Sequence, residues 1–135
     1  MRKFLKRLTA FAICVFAALP ANAASPQNFH QVKVTAYAAV PRCTKRVNPT
    51  ITASEHRITP KDHYRLVALS PDLAKRYQFG DRFRLEIDGA TYIVEYQDKM
   101  PVQHRKKIDF LLPSVSACFE FGKKVGKLQL IGRDK

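Results

Sequence analysis

The sequence predicts a mainly β domain, a closed barrel of about six strands with small helices at its ends. Three observations predict it. Short segments alternate apolar and polar residues and are separated by turn residues. A unit of strand, Ser-capped helix, Phe-Gly and strand occurs twice, as Leu66 to Ile87 and as Lys107 to Ile131, with Phe79-Gly80 matching Phe121-Gly122. Asp88-Gly89 stands between two alternating runs, the signal of a tight hairpin. Two copies of one unit predict a pseudo-two-fold arrangement, and closure leaves no exposed strand edge.

Taken in order, a short polar segment ends near Gln31, and Val32 to Tyr37 then reads as a first strand with Val32, Val34 and Ala36 on its apolar face. From Ala38 to Tyr64 the chain carries Pro41, Pro49 and Pro60 without periodicity and reads as a long irregular connection. Arg65 to Leu69 is a second strand. Ser70 is placed as the N-cap of a helix, with Pro71 in its first turn, Asp72 facing the positive helix end and Gly80 closing it. Arg82 to Ile87 and Ala90 to Gln97 form the hairpin. A strand through Leu112, a helix opened by Pro113-Ser114 and closed at Gly122, and a last strand from Val125 to Ile131 complete the second copy.

The amino end is of another kind. Arg2, Lys3, Lys6 and Arg7 precede an apolar run from Leu8 to Leu19, and Ala21-Asn22-Ala23 supplies small residues for cleavage, so residues 1–23 read as a secretory leader. The run is shorter than the roughly 20 residues of a membrane span, and no anchor is expected. Residues 24–31 form a short N-terminal segment and residues 32–135 one domain. The leader holds four of the 24 basic residues and none of the 11 acidic ones, leaving 20 against 11, a net +9. Such a charge steers anionic partners. No nucleic-acid motif is present, and export argues against that partner. Cys43 and Cys118 remain after the leader; in an oxidising compartment they are a disulfide candidate, the alternative being two buried thiols. His30, His56, His63 and His104 are scattered without metal-ligand spacing, so neither metal nor cofactor is expected.

The chemistry is expected between Tyr92 and Ser114, where Asp98 and Asp109 end or interrupt apolar runs on either side of a basic loop. Alternation puts Asp98 on the face of Tyr92, Val94 and Tyr96, the inward face. Asp109 lies among Ile108, Phe110, Leu111 and Leu112, where desolvation raises a carboxyl pKa.

Val34-Thr35-Ala36-Tyr37, Cys43-Thr44, Thr52-Ala53-Ser54, Val67-Ala68-Leu69-Ser70, Phe79-Gly80-Asp81, Asp98, Ile108-Asp109 and Phe121-Gly122, in this order, resemble the 3D domain, which is related to the barrel of lytic transglycosylase A. The resemblance runs from about Val32 to Ile131. It implies a double-psi β-barrel acting on peptidoglycan glycan strands; the leader places the chain in the periplasm or outside the cell, and a monomer is expected. It makes Asp109 the acid/base residue and Asp98 its carboxylate partner. Thr35, Tyr37 and Thr52 fall at groove positions, and Lys99, Met100 and Arg105 in the loop between the aspartates complete the expected substrate contacts. The chain departs from the pattern in having Asp98-Lys99-Met100 for Asp-Thr-Gly, Glu55 where Gly follows Thr-Ala-Ser, and Ser70 near the place of the family's first aspartate. The implied reaction is cleavage between N-acetylmuramic acid and N-acetylglucosamine with the muramyl C6 hydroxyl as nucleophile, leaving 1,6-anhydro ends. A hydrolase on the same bond and a non-catalytic basic glycan-binding module are the alternatives.

Overall fold

The computed structural model describes residues 29–133. The expected leader and residues 24–28 lie outside them. Six strands, β1 (Phe29–Tyr37), β2 (Leu66–Leu69), β3 (Asp81–Ile87), β4 (Ala90–Lys99), β5 (Lys107–Leu111) and β6 (Lys124–Arg133), close into a barrel in the order β1-β5-β2-β4-β3-β6. Two short helices, α1 (Pro71–Ala74) and α2 (Val115–Phe121), and a single 3-10 turn at Pro60–Asp62 accompany them. No helix among the described residues is long and apolar enough to cross a membrane.

The pairings carry the internal echo. β1 runs parallel to β5 and β2 parallel to β4, while the other neighbours are antiparallel. Exchanging β1 with β4, β2 with β5 and β3 with β6 maps this pattern onto itself. The repeated Phe-Gly serves the same purpose in both copies, since Gly80 and Gly122 each turn the chain at positive φ, 93° and 67°. Asp88 and Gly89 both take positive φ, the primed hairpin geometry that matches strand twist.

Two boundaries and one helix cap differ from the sequence reading in ways the contacts explain. β1 begins at Phe29 because β6 continues far enough to pair with it, Phe29 lying opposite Gln129. The first helix stops at Ala74 instead of reaching Gly80: Arg76 and Tyr77 donate to the carbonyls of Leu73 and Ala74, and the buried carboxylate of Asp81 takes the Gln78 N–H at 2.9 Å. Ser70 occupies the N-cap position but does not cap with its side chain. Its hydroxyl donates to Asp72 at 2.6 Å, and Asp72 in turn accepts the Lys106 N–H at 2.9 Å, so both hold the turn before β5.

The barrel interior is filled by Val32, Val34, Val67, Leu69, Phe83, Leu85, Val94, Tyr96, Ile108, Phe110 and Leu128, with Ala36 packed against them. A second, smaller cluster lies on the outer wall: Tyr37, Leu66, Ala68, Met100 and Leu111, with Ala39 and Ile58 of the long connection against it. β2 is therefore buried on both faces, which is why it reads as an unbroken apolar run and not as an alternation. The 38–64 connection thus covers one side of the barrel, and a cleft opens at its margin.

Candidate functional site

Strand register assembles the site. Thr35 on β1 pairs with Asp109 on β5, Asp109 with Ala68 on β2, and Ala68 with Asp98 on β4. Paired residues of neighbouring strands share a face, so these four form one row across the outer wall. The pseudo-two-fold relates its halves, exchanging Thr35 with Asp98 and Asp109 with Ala68. The small Ala68 leaves open the space between the two acids.

The expectation that Asp98 points inward is corrected here. Between Val67 and Ala68 the register slips, so that Tyr96 pairs with Val67 and Asp98, two residues later, with Ala68. The extra residue is Gln97. A bulge in β4 turns Asp98 from the core face, where alternation would bury it beside Tyr96, to the outer wall. Gln97 accepts from the Ser54 hydroxyl at 2.5 Å and donates to Glu95 at 2.7 Å, which anchors the bulge.

The two carboxylates are held differently. Asp98 accepts the backbone N–H groups of Ala53 at 3.0 Å and Lys99 at 2.9 Å, and the Tyr37 hydroxyl at 3.4 Å. Asp109 is half-buried and accepts the Thr35 hydroxyl at 2.9 Å. Burial holds the Asp109 carboxyl above its usual range; the Thr35 hydrogen bond and the charges of Lys107 and His104 pull it down, and Asp98 pushes it up. Burial, then the two aspartates, push the Tyr37 phenol far upward, so it is a neutral donor at any physiological pH.

Both aspartates line a cleft of about 390 Å³ with Tyr37, Cys43, Thr44, Lys45, Ile51, Ala53, Ala68, Lys99, Met100 and Pro101. A larger depression of about 670 Å³ lies elsewhere, between Phe29, Glu86, Asp88, Thr91 and Lys127; of its two acids, Asp88 is exposed and paired with Lys124. The smaller cleft is the one with the convergent chemistry.

The expected substrate contacts divide. Tyr37, Lys99 and Met100 line the cleft, and the Lys99 ammonium stands 5.3 Å from the Phe79 ring centre. Thr35 reaches the row through Asp109. Thr52 does not face the cleft as a binding group: it is 2% exposed, accepts the His56 N–H at 3.1 Å and shares a hydrogen bond with Ser54. It braces the small turn that brings the Ala53 N–H to Asp98. Glu55 in that turn takes φ 67°, the left-handed conformation that glycine favours, so the departure from Thr-Ala-Ser-Gly changes the residue and keeps the shape. Arg105 lies outside the cleft, in a neighbouring basic depression that Thr35 also lines.

The structure has no bond between the two cysteines. Cys43 and Cys118 are both free, Cys43 exposed in a turn fixed by its own N–H bond to Val40 and Cys118 half-buried on α2. The alternative of two buried thiols is corrected for Cys43. Burial, with Cys43 and Asp109 nearby, pushes the Cys118 thiol up to about 11. Relative to an ordinary thiol, Cys118 is expected to react with a disulfide reagent near neutral pH about a hundredfold more slowly, for want of thiolate. Stopped-flow thiol titration of single-cysteine variants measures this.

Among the described residues no three His, Cys, Asp or Glu side chains could hold a metal ion. His56 and Asp62 do meet, at 3.0 Å, but Asp62 also takes the Thr59 N–H at 2.8 Å and closes the 3-10 turn. Asp81 is fully buried and paired with Arg133.

Sequence reasoning missed Ala68, whose small side chain separates the acids, and the Ala53 N–H, a backbone group that leaves no mark in composition. The bulge at Gln97 was also missed.

The fold and site define a closed six-stranded barrel with an acid pair on its outer wall. Neither a protein-family model nor a curated protein matches the chain. Among solved structures it is similar to the Streptomyces papain inhibitor, with a TM-score of 0.53 and 18% sequence identity over 77% of this chain and 94% of the inhibitor. At that identity the likeness is one of fold.

Proposed function

We propose that the chain is an exported enzyme of the lytic transglycosylase type, cleaving the bond between N-acetylmuramic acid and N-acetylglucosamine in peptidoglycan. The observation that carries the reading is Asp109: a half-buried carboxyl, raised by desolvation, that still opens on a cleft. A group of this kind holds a proton toward neutral pH and can give it to a leaving oxygen.

In the proposed reaction Asp109 protonates the glycosidic oxygen as the bond to the muramyl anomeric carbon breaks. The muramyl C6 hydroxyl attacks that carbon and loses its proton to the Asp109 carboxylate, so the acid is regenerated and a 1,6-anhydro ring closes. The Thr35 hydroxyl fixes the carboxyl's rotamer. Asp98, held by two backbone N–H groups, faces the cleft as a fixed negative charge that favours the oxocarbenium character of the transition state.

The spacing of the acids supports one acting group over two. They stand two strands apart, about 9.5 Å between backbones at ordinary strand spacing, and side chains on the outside of a barrel splay. A covalent double displacement needs carboxyls about 5 Å apart. An inverting hydrolase, with a water between the acids, is the second reading this spacing favours. A protein-binding role, by analogy with the papain inhibitor, would need neither acid.

The test is release of soluble muropeptides from purified sacculi by the chain from residue 24. Release that Asp109→Asn removes supports the enzyme. Binding to sacculi without any soluble product would overturn it in favour of a glycan-binding module.

A further inference from the structure

The parallel β1–β5 ladder sets a second feature beside the acid row. Two residues before Thr35 and Asp109, the partners are Lys33 and Lys107. They share the outer face with the acid row and lie about 6.6 Å from it, two residues along a strand. Like charges placed directly opposite on a sheet repel. Neither lysine is in a salt bridge with Asp62, Asp81 or Asp88, which pair with His56, Arg133 and Lys124; the Lys107 charge is felt by Asp109.

The two lysines open on a depression of about 610 Å³ whose rim includes Gln103, His104, Arg105, Lys123 and Lys124, with Thr35 as the wall shared with the acid row. No carboxylate lines it. The turn that carries Arg105 and Lys107 is held in a specific shape. Lys106 stands at φ 46°, unusual for a residue with a side chain. Its N–H is taken by Asp72 at 2.9 Å, the Lys107 N–H by the buried Ser70 hydroxyl at 3.1 Å, and its carbonyl by the Lys33 N–H at 3.0 Å. Strain maintained by three hydrogen bonds marks a built turn.

We infer that this depression is a carboxylate-binding subsite for the peptidoglycan strand whose glycosidic bond lies at Asp109. The inference rests on the proposed function for the identity of the strand. Muramic acid carries its lactyl group on ring carbon 3, two carbons from the anomeric centre, so carboxylates attached there come within reach of the rung next to the acid. Two sources have this chemistry: the lactyl carboxylate of a glycan stripped of peptides, and the carboxylates of the peptide stem. Lys33 and Lys107 bind the carboxylate, with Arg105 and Lys123 at the rim.

Binding of soluble glycan oligomers to Asp109→Asn protein tests it without turnover, by calorimetry at two salt concentrations. The oligomers are stripped glycan, stem-bearing glycan, and stem-bearing glycan with its carboxylates amidated. Lys33→Gln/Lys107→Gln is expected to weaken binding of a carboxylate-bearing oligomer about tenfold or more and to flatten its salt dependence. Lys33→Arg/Lys107→Arg is expected to restore it. Whichever of the stripped and stem-bearing oligomers loses affinity in the Gln variant identifies the source, and the amidated oligomer is expected to bind equally to both proteins. Removing two repelling charges does not threaten the fold, and an unchanged melting temperature checks this.

Binding of all three oligomers by the double Gln variant as tightly as by the Asp109→Asn parent overturns the subsite even if the wild-type chain cleaves sacculi. Lysine-dependent binding with no cleavage by the wild-type chain leaves the subsite standing and overturns the enzyme.

Discussion

Asp109→Asn is expected to lower muropeptide release from sacculi by about 10² to 10⁴-fold, the usual worth of a positioned acid/base, while leaving the protein at least as stable. The two halves of this result have one cause. Burial raises the Asp109 carboxyl above its usual range. Between its unfolded and its folded pKa the native state therefore binds more protons than the unfolded state, so stability falls as pH rises through that window. Above it the native state carries a desolvated charge that asparagine lacks. Asparagine can still accept the Thr35 hydroxyl. Gain of stability with loss of activity separates a catalytic acid from a structural one, whose removal would lower stability. The same shift sets a pH dependence: activity requires the protonated acid, so it is expected to fall as pH rises through the raised pKa of Asp109. Thermal unfolding and muropeptide release of both proteins across pH measure it.

Gly126→Ala is expected to cost about 3 kcal/mol, the upper end of overpacking penalties, and to lower the melting temperature by about 10 °C or more for a domain of this size. Gly126 lies where β6 crosses between Val32 on β1 and Ile87 on β3. A Cβ there would stand 2.9 Å from the Glu86 carbonyl oxygen, 3.1 Å from Val34 Cγ2 and 3.3 Å from Ile87 Cγ1. The first of these is backbone inside a ladder and cannot yield without opening the barrel. Gly132 on the same strand has nothing within 4 Å of its Cβ position. Gly132→Ala is expected to change stability by less than about 0.5 kcal/mol. Differential scanning calorimetry of the two variants distinguishes a closure point of the barrel from a general intolerance of β6.

The barrel was legible because each level of the sequence agreed. β3 reads as strict alternation and is buried at every second residue, Asp81, Phe83, Leu85 and Ile87. The two Phe-Gly signals fell at equivalent turns. The site was legible only in part, because it depends on register. Asp109 needed only its own strand, and its apolar neighbours announced the desolvation. Asp98 needed the bulge at Gln97, which arises from pairing with β2 and cannot be read from β4 alone. Thr52 has the residue type of a binding group, yet the turn it braces uses its hydroxyl internally. Lys33 and Lys107 lie 74 residues apart in sequence, and only the parallel ladder makes them neighbours. Cys43 and Cys118 show another limit: compartment and count allowed a bond or two buried thiols, and only the structure shows both thiols free with Cys43 exposed.

The central claim is that Asp109 alone, acting as acid and then base, opens the glycosidic bond with the substrate's own hydroxyl as nucleophile. Mass spectrometry of the soluble products from purified sacculi tests it most directly. The account predicts muropeptides with 1,6-anhydro ends, absent from the Asp109→Asn digest and retained at a reduced level with Asp98→Asn. Products one water heavier, with reducing ends and equal loss in both variants, would contradict it and establish a two-carboxylate hydrolase.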